Sequence, residues 1–287
     1  MNFRFMKIRL FLSAFAFVIA SSSCTKDIDF DLNEEQERIV VDALITNVKQ
    51  KHLIRITKTT TFFKTYVDAP AAENANVVVS DGTNTYLCIE ETPGHYYTAE
   101  LAFEADKNYS LTIDYEGTTY TANDYMNSTI EIDTIRTTES EEFSFQSGQE
   151  ELLASVIMEA QESPGLGDHY LWKLQVKKPD TAYKDLSPTY RDWTFSSDEF
   201  VDGRSPVDGW PIFERIPTSE IVSGSTVRVQ MFGISKGYYD FLDGLGKQVF
   251  RGGLFDGPPA NISSNFDNGA LGYFVAASER IAFTTKE

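Results

Sequence analysis

Apolar and polar residues alternate with a period of two from Arg38 onward, and this alternation predicts β-strands rather than helices. Residues 39–45 form a nearly continuous apolar run that predicts a buried strand, and residues 52–58 alternate with one apolar face. Tight turns separate the short strands that follow, at Asp81-Gly82, Pro93-Gly94 and Glu116-Gly117. About six or seven short strands at this spacing predict a β-sandwich over residues 37–135.

The order of these strands resembles a prealbumin-like module of the carboxypeptidase-regulatory type, with an immunoglobulin-like sandwich. Three stretches carry the resemblance, namely Ala-Asn-Val-Val-Val-Ser-Asp-Gly at 75–82, Pro-Gly-His-Tyr-Tyr at 93–97 and Tyr-Ser-Leu-Thr-Ile at 109–113. The resemblance implies a structural or binding unit without catalytic residues of its own.

The second half of the chain, residues 136–287, predicts another β-rich domain. A polar, acidic stretch at 129–147 is the expected junction between the two domains. Alternating residues predict strands at 152–160, 170–176 and 227–231. Ser235 is the expected N-cap of one short helix near 235–250. The expected fold class is therefore all-β, with an N-terminal sandwich followed by a second β-rich domain that contains one helix.

The first residues predict a lipoprotein signal peptide at 1–23. Its basic beginning contains Arg4, Lys7 and Arg9, and the apolar run at 10–20 is shorter than the roughly 20 residues of a membrane-spanning helix. Small residues lead directly into Cys24, as in a bacterial lipobox. We therefore expect Cys24 to carry lipid and to anchor the chain in a membrane. The alternative is a plain secretory signal that is cut near Ser23.

Residues 24–36 predict an acidic tether. Within it, Lys26, Asp27 and Asp29 resemble the surface-export tag of some lipoproteins of bacteria with two membranes. A calcium loop is excluded because Leu32 occupies the position of the obligatory glycine and Arg38 that of the bidentate glutamate. The alternative is a solvated tether without an export signal.

Composition and motifs argue against several classes of function. With 43 acidic and 25 basic residues, the chain has a net charge of −18, which excludes a protein built to bind the nucleic-acid backbone. No histidine has a second histidine or a cysteine at metal-ligand spacing, and Phe-Gln-Ser-Gly at 145–148 lacks the leading glycine of a Gly-x-Ser-x-Gly motif. We expect no catalytic residue, no metal and no cofactor. Cys88, in a strand-like run, is expected to be a small core residue.

Trp193 and Trp210 lie in an aromatic, proline-rich segment between about residues 179 and 225. Exposed tryptophans on loops are frequent contacts for ligands and partners, so both residues are candidate contact residues. The favoured alternative is that both tryptophans fasten a long loop onto the β-sheet.

Three further stretches together resemble the domain of unknown function 4249 family. They are Ile-Val-Val-Asp-Ala-Leu-Ile-Thr at 39–46, Ser-Lys-Gly-Tyr-Tyr-Asp-Phe-Leu at 235–242, and the Gly-, Pro- and Asn-rich region at 253–276. The resemblance implies an outer-membrane lipoprotein, commonly encoded beside a TonB-dependent transporter, with no established activity. We therefore expect a non-catalytic surface lipoprotein that assists such a transporter or captures its substrate. The alternative is a free-standing surface binding protein or a polymer-degrading enzyme.

Overall fold

The computed structural model describes residues 37–60, 69–144, 148–186, 194–249 and 262–287. Residues 37–287 belong to one compact unit. The strands are β1 (Ile39–Thr46), β2 (Leu53–Lys58), β3 (Asn76–Ser80), β4 (Thr85–Thr92), β5 (His95–Tyr97), β6 (Lys107–Tyr115), β7 (Thr118–Met126), β8 (Thr134–Ser144), β9 (Gln149–Glu159), β10 (His169–Lys177), β11 (Lys184–Asp185), β12 (Thr194–Ser197), β13 (Trp210–Pro217), β14 (Thr226–Gly233) and β15 (Leu271–Thr285). One helix, α1 (Lys236–Val249), completes the described elements. The predicted all-β class is confirmed.

Most strands form one large sheet in the order β11-β10-β14-β15-β1-β2-β5-β4-β3-β6-β7, with β12 also paired to β10. Strands β13, β9 and β8 form a second, three-stranded sheet. The large sheet crosses the expected boundary at residue 136, because β15 pairs in parallel with β1 and antiparallel with β14. The two halves of the chain therefore share a sheet.

The parallel pairing of β1 with β15 depends on a glycine. Gly272 has a φ of +88°, and a side chain at this position would overlap the carbonyl oxygen of Val41. Only glycine adopts such a φ readily and lets the two backbones approach this closely.

The buried apolar residues form three clusters. One core combines the inward side chains of β1 to β7 with Phe266, Ala270, Phe274 and Ala276. A second core combines side chains of β9, β10, β13 and β14. A third cluster packs α1 onto the opposite face of the large sheet, through Leu242 and Tyr273. The first two clusters both contain residues from either side of residue 136.

Two segments differ from expectation. The acidic stretch at 129–147 was expected to be a junction, but most of it is β8, which pairs with β9 along its whole length. As the outer strand of its sheet, β8 exposes Glu139 and Glu141 and needs few apolar residues. The segment at 179–225 contains β13, whose alternation is broken by register shifts around Phe213.

The predicted helix is confirmed, and so is its N-cap. The hydroxyl oxygen of Ser235 accepts a hydrogen bond from the backbone N–H of Tyr238 at 3.2 Å. Within the described part of the chain, no helix has the length and apolarity needed to cross a membrane.

Candidate functional site

Most of the residues that the sequence singles out lie outside the described residues. These are Cys24, Lys26, Asp27 and Asp29 near the N-terminus, together with Trp193. Their proposed roles stay predictions.

Trp210 lies in the protein interior and not on an exposed loop. It begins β13, and only 7% of its surface is exposed. Its ring packs edge-on against Tyr170 and Trp172, at centroid distances of 5.9 and 6.4 Å. The expectation of a surface contact at Trp210 is therefore wrong, because so little of the side chain can reach a partner. Packing of the segment onto the sheet is the arrangement observed.

Two potentially reactive side chains, Cys88 and His52, are buried in the protein interior. Cys88 is buried, as predicted, and burial raises the pKa of its thiol to about 12, so the thiol stays protonated at neutral pH. His52 accepts a hydrogen bond from the N–H of Thr46 at Nδ1 and donates one from Nε2 to the carbonyl oxygen of Leu101. Burial lowers the pKa of His52, which favours this neutral form.

The fold brings together three carboxylates that are far apart in the sequence. One oxygen each from Glu162, Asp168 and Asp198 lies within 4.8 Å of the others. Glu162 and Asp168 stand at the two ends of a glycine-containing turn, in which Gly165 and Gly167 have φ values of +125° and +131°. Asp198 follows β12 directly, and β12 pairs with the beginning of β10.

Hydrogen bonds fasten the loop at 160–168 to the loop at 198–209. Asp198 Oδ2 accepts the N–H groups of Gly167 at 2.8 Å and Asp168 at 3.1 Å. Asp202 Oδ1 accepts the N–H of Gly165 at 2.6 Å. The carboxylates therefore set the geometry of both loops.

Burial favours the protonated form of one of these carboxylates. Glu162 has no exposed surface, and both of its side-chain oxygens lie within hydrogen-bond distance of the Tyr170 hydroxyl, at 2.8 and 3.0 Å. Burial, with the nearby charges of Asp168 and Asp198, raises the pKa of Glu162 to about 7. Burial also raises the pKa of Asp168. Three carboxylates this close together repel one another. Their oxygens suit a hard divalent cation, and a proton on one of them reduces the repulsion in the same way. A polymer substrate cannot reach Glu162.

The two fastened loops present three exposed apolar side chains, which we call the loop surface. Leu166, Phe200 and Val207 are 69%, 83% and 101% exposed. Residues 160–168 and 198–209 together contain six acidic residues and one basic residue. Large exposed apolar side chains on neighbouring loops are typical of protein interaction sites.

The model of the family described as Domain of unknown function (DUF4249) matches residues 25–281. The chain belongs to this family. The match confirms the resemblance drawn from the stretches at 39–46, 235–242 and 253–276. No curated protein matches the chain.

Sequence reasoning missed the candidate site of this DUF4249 protein. Glu162 and Asp198 belong to separate loops, and neither has a motif around it. The one local signal is the Pro-Gly-Leu-Gly turn before Asp168, whose glycines allow the chain to bring this residue back towards Glu162. Phe200 lies between charged residues in a polar segment, so its exposure follows from the fold alone.

Proposed function

We propose that this DUF4249 protein is a non-catalytic lipoprotein of the outer-membrane surface that docks on a TonB-dependent transporter, as an accessory or substrate-capture subunit. The anchor would be lipid on Cys24, and Lys26, Asp27 and Asp29 would direct export to the surface. The small-residue approach to Cys24 and the context that the family resemblance implies support this proposal.

The observation that carries the docking role is the loop surface. Leu166, Phe200 and Val207 are apolar side chains of the kind that become buried when two proteins associate, and they would fill pockets on a partner. Of the six acids on these loops two are buried, and the other four still outnumber the single base, so the matching partner surface has lysines and arginines around an apolar centre. Such an association is steered by charge and weakens as salt increases.

The second candidate function is a free-standing binding protein or a polymer-degrading enzyme. If the protein were an enzyme, Glu162 would be the candidate general acid, because its pKa is raised. Its complete burial argues against this role, because a general acid must reach the bond that it protonates. The neighbouring genes give an inexpensive discriminator: a transporter gene favours docking, whereas a cluster of hydrolase genes favours degradation.

The test is recovery of the partner from solubilised outer membrane with tagged protein. We would compare the wild type, the variant Leu166→Asp/Phe200→Asp, and the matched control Leu87→Asp/Ile89→Asp. The control residues are 56% and 57% exposed on β4, away from the two loops. We expect the wild type and the control to recover a barrel transporter, identified by mass spectrometry, and the loop variant to lose it.

The two possible failures are distinct. If the wild type repeatedly recovers no transporter, the partnership is wrong. If the loop variant recovers as much transporter as the wild type, the partnership holds but the loop surface is not the contact. Recovery with the wild type should also fall as the salt concentration of the wash increases.

A further inference from the structure

A separate cleft opens on the face of the large sheet that also carries α1. Its volume is about 310 Å³, near the lower end of the range for small-molecule sites. Phe232 and Leu44 line the cleft and also belong to the apolar cluster under α1. Leu53 adds a further apolar group from β2. Three strands therefore contribute apolar groups to the cleft, whose other lining residues are polar and include the charged Asp42 and Lys51.

Three neighbouring strands place polar and charged side chains in this cleft. Lys173 of β10 lies opposite Gln230 of β14, and Phe232 of β14 lies opposite Glu279 of β15. Because alternate residues of a strand share a face, the three polar side chains and Phe232 project from the same side of the sheet. All four line the cleft.

The acidic side of the cleft is a deeply buried carboxylate. Glu279 is 4% exposed, and its Oε1 accepts a hydrogen bond from the side-chain amide of Gln230 at 2.6 Å. The backbone N–H of Glu279 is held by Asn47 Oδ1 at 2.6 Å, which fixes the strand at this point. A neutral amide compensates little of the cost of burying a negative charge, so a cation that enters the cleft is favoured here.

The basic side of the cleft is Lys173. Its Nζ lies 5.3 Å from the centroid of the Phe232 ring, a cation–π arrangement. Within the described residues, Lys173 forms no ion pair, with Glu279 or with any other carboxylate. One strand, β14, lies between β10 and β15, and Lys173 and Glu279 are offset by two residues along the strands, which places their backbones roughly 12 Å apart. A small ligand with charges of both signs can bridge this gap.

We propose that the cleft binds a free α-amino acid with an apolar side chain. The ligand ammonium group contacts Glu279, the ligand carboxylate contacts Lys173, and the apolar side chain packs against the half-buried Leu44 and Leu53. Opposite charges on adjacent ligand groups match the opposite charges on the two sides of the cleft, and neither contact requires a residue of the loop surface. The proposal is therefore independent of transporter docking.

The test is calorimetric titration of the purified mature chain with L-leucine, N-acetyl-leucine and leucine amide. The acetylated ligand lacks the ammonium group, and the amide lacks the carboxylate. We expect saturable binding of L-leucine, and affinities about tenfold lower or weaker still for each blocked ligand, because each leaves one buried charge without its partner.

Two variants locate the site. Lys173→Ala should weaken L-leucine binding by about tenfold while changing the affinity for leucine amide little, because that ligand has no carboxylate to lose. Glu279→Gln should weaken L-leucine in the same way while sparing N-acetyl-leucine. Asp133→Asn is the matched control, since Asp133 is an exposed acid just before β8 and does not line the cleft.

Absence of saturable binding for both L-leucine and L-phenylalanine would overturn the proposal. Unchanged L-leucine affinity in Lys173→Ala would overturn it as well, because binding would then occur elsewhere. If the thermal melt shows that Glu279→Gln does not fold, the Lys173→Ala variant and the blocked ligands still test the proposal, because Lys173 is only half-buried.

Discussion

Replacing Glu162 with Gln tests whether the buried carboxylate cluster holds a proton. Glutamine keeps the shape of the side chain and still accepts the hydrogen bond from Tyr170, but it cannot become charged. The folded protein raises the pKa of Glu162 from 4.5 to about 7, so the folded state binds the proton more tightly than the unfolded state. The free energy of unfolding of the wild type should therefore fall as the pH rises from about 4.5 to 7, and stay low above that range.

The size of this effect follows from the two pKa values. One pH unit of difference corresponds to about 1.4 kcal/mol, so a rise from 4.5 to about 7 gives an upper limit of about 3 kcal/mol. Asp168 is half-buried and lets water reach one side of the cluster, which screens the repulsion. We expect about 2 kcal/mol of stability to be lost between pH 5 and pH 8 through Glu162.

Urea unfolding of the wild type and of Glu162→Gln, at about pH 5 and about pH 8, measures this difference. Asp124, whose pKa burial raises to about 6, produces a loss in the same direction in both proteins and therefore cancels in the comparison. Glu199→Gln, an exposed residue of the same loops, is the control and should behave as the wild type does. An equal loss of stability in the wild type and in Glu162→Gln would refute the reasoning.

Other changes test the core, the sheet and the anchor. Trp210→Ala should lower the free energy of unfolding by about 3–5 kcal/mol. Trp210→Phe removes a buried N–H that has no hydrogen-bond partner among the described residues, and it should cost less in the same denaturation assay. Gly272→Ala should prevent folding or lower the melting temperature sharply, because its side chain would overlap the Val41 carbonyl. Gly246→Ala in α1 meets no neighbouring atom and should stabilise the protein by up to ~1 kcal/mol in the same melts. Cys24→Ala should move the protein from membranes to a soluble fraction, and a membrane-bound variant of unprocessed mass would contradict the lipobox.

Alternation in the sequence predicted strands well where one face of a strand is buried. In β1, Ile39, Val41, Ala43 and Ile45 all face a core, so the apolar pattern and the structure coincide. The same reasoning failed for β8, because an outer strand can be polar on most positions and still be held by backbone hydrogen bonds. It failed for β13 because irregular pairing shifts the register and disturbs the period of two.

The order of strands could not be predicted, because backbone pairing leaves no mark in the polarity of side chains. Residue Thr46 lies opposite Ala277, far away in the sequence, and this single parallel pairing joins the N-terminal strand to the C-terminal one. The cleft depends on that pairing, since Leu44 and Glu279 become neighbours of one cavity only when β1 and β15 lie side by side.

The carboxylate cluster and the cleft differ in how they compensate buried charge, and this difference assigns them different roles. In the cluster, Glu162 lies against Asp168 and Asp198, so like charges meet and a proton stabilises the arrangement. In the cleft, Glu279 and Lys173 have opposite charges but stay apart, so a ligand is needed to join them. In the cluster a proton and internal hydrogen bonds compensate the buried charge, and this arrangement suits the positioning of loops. In the cleft the compensating charge would come from a ligand, and this arrangement suits recognition.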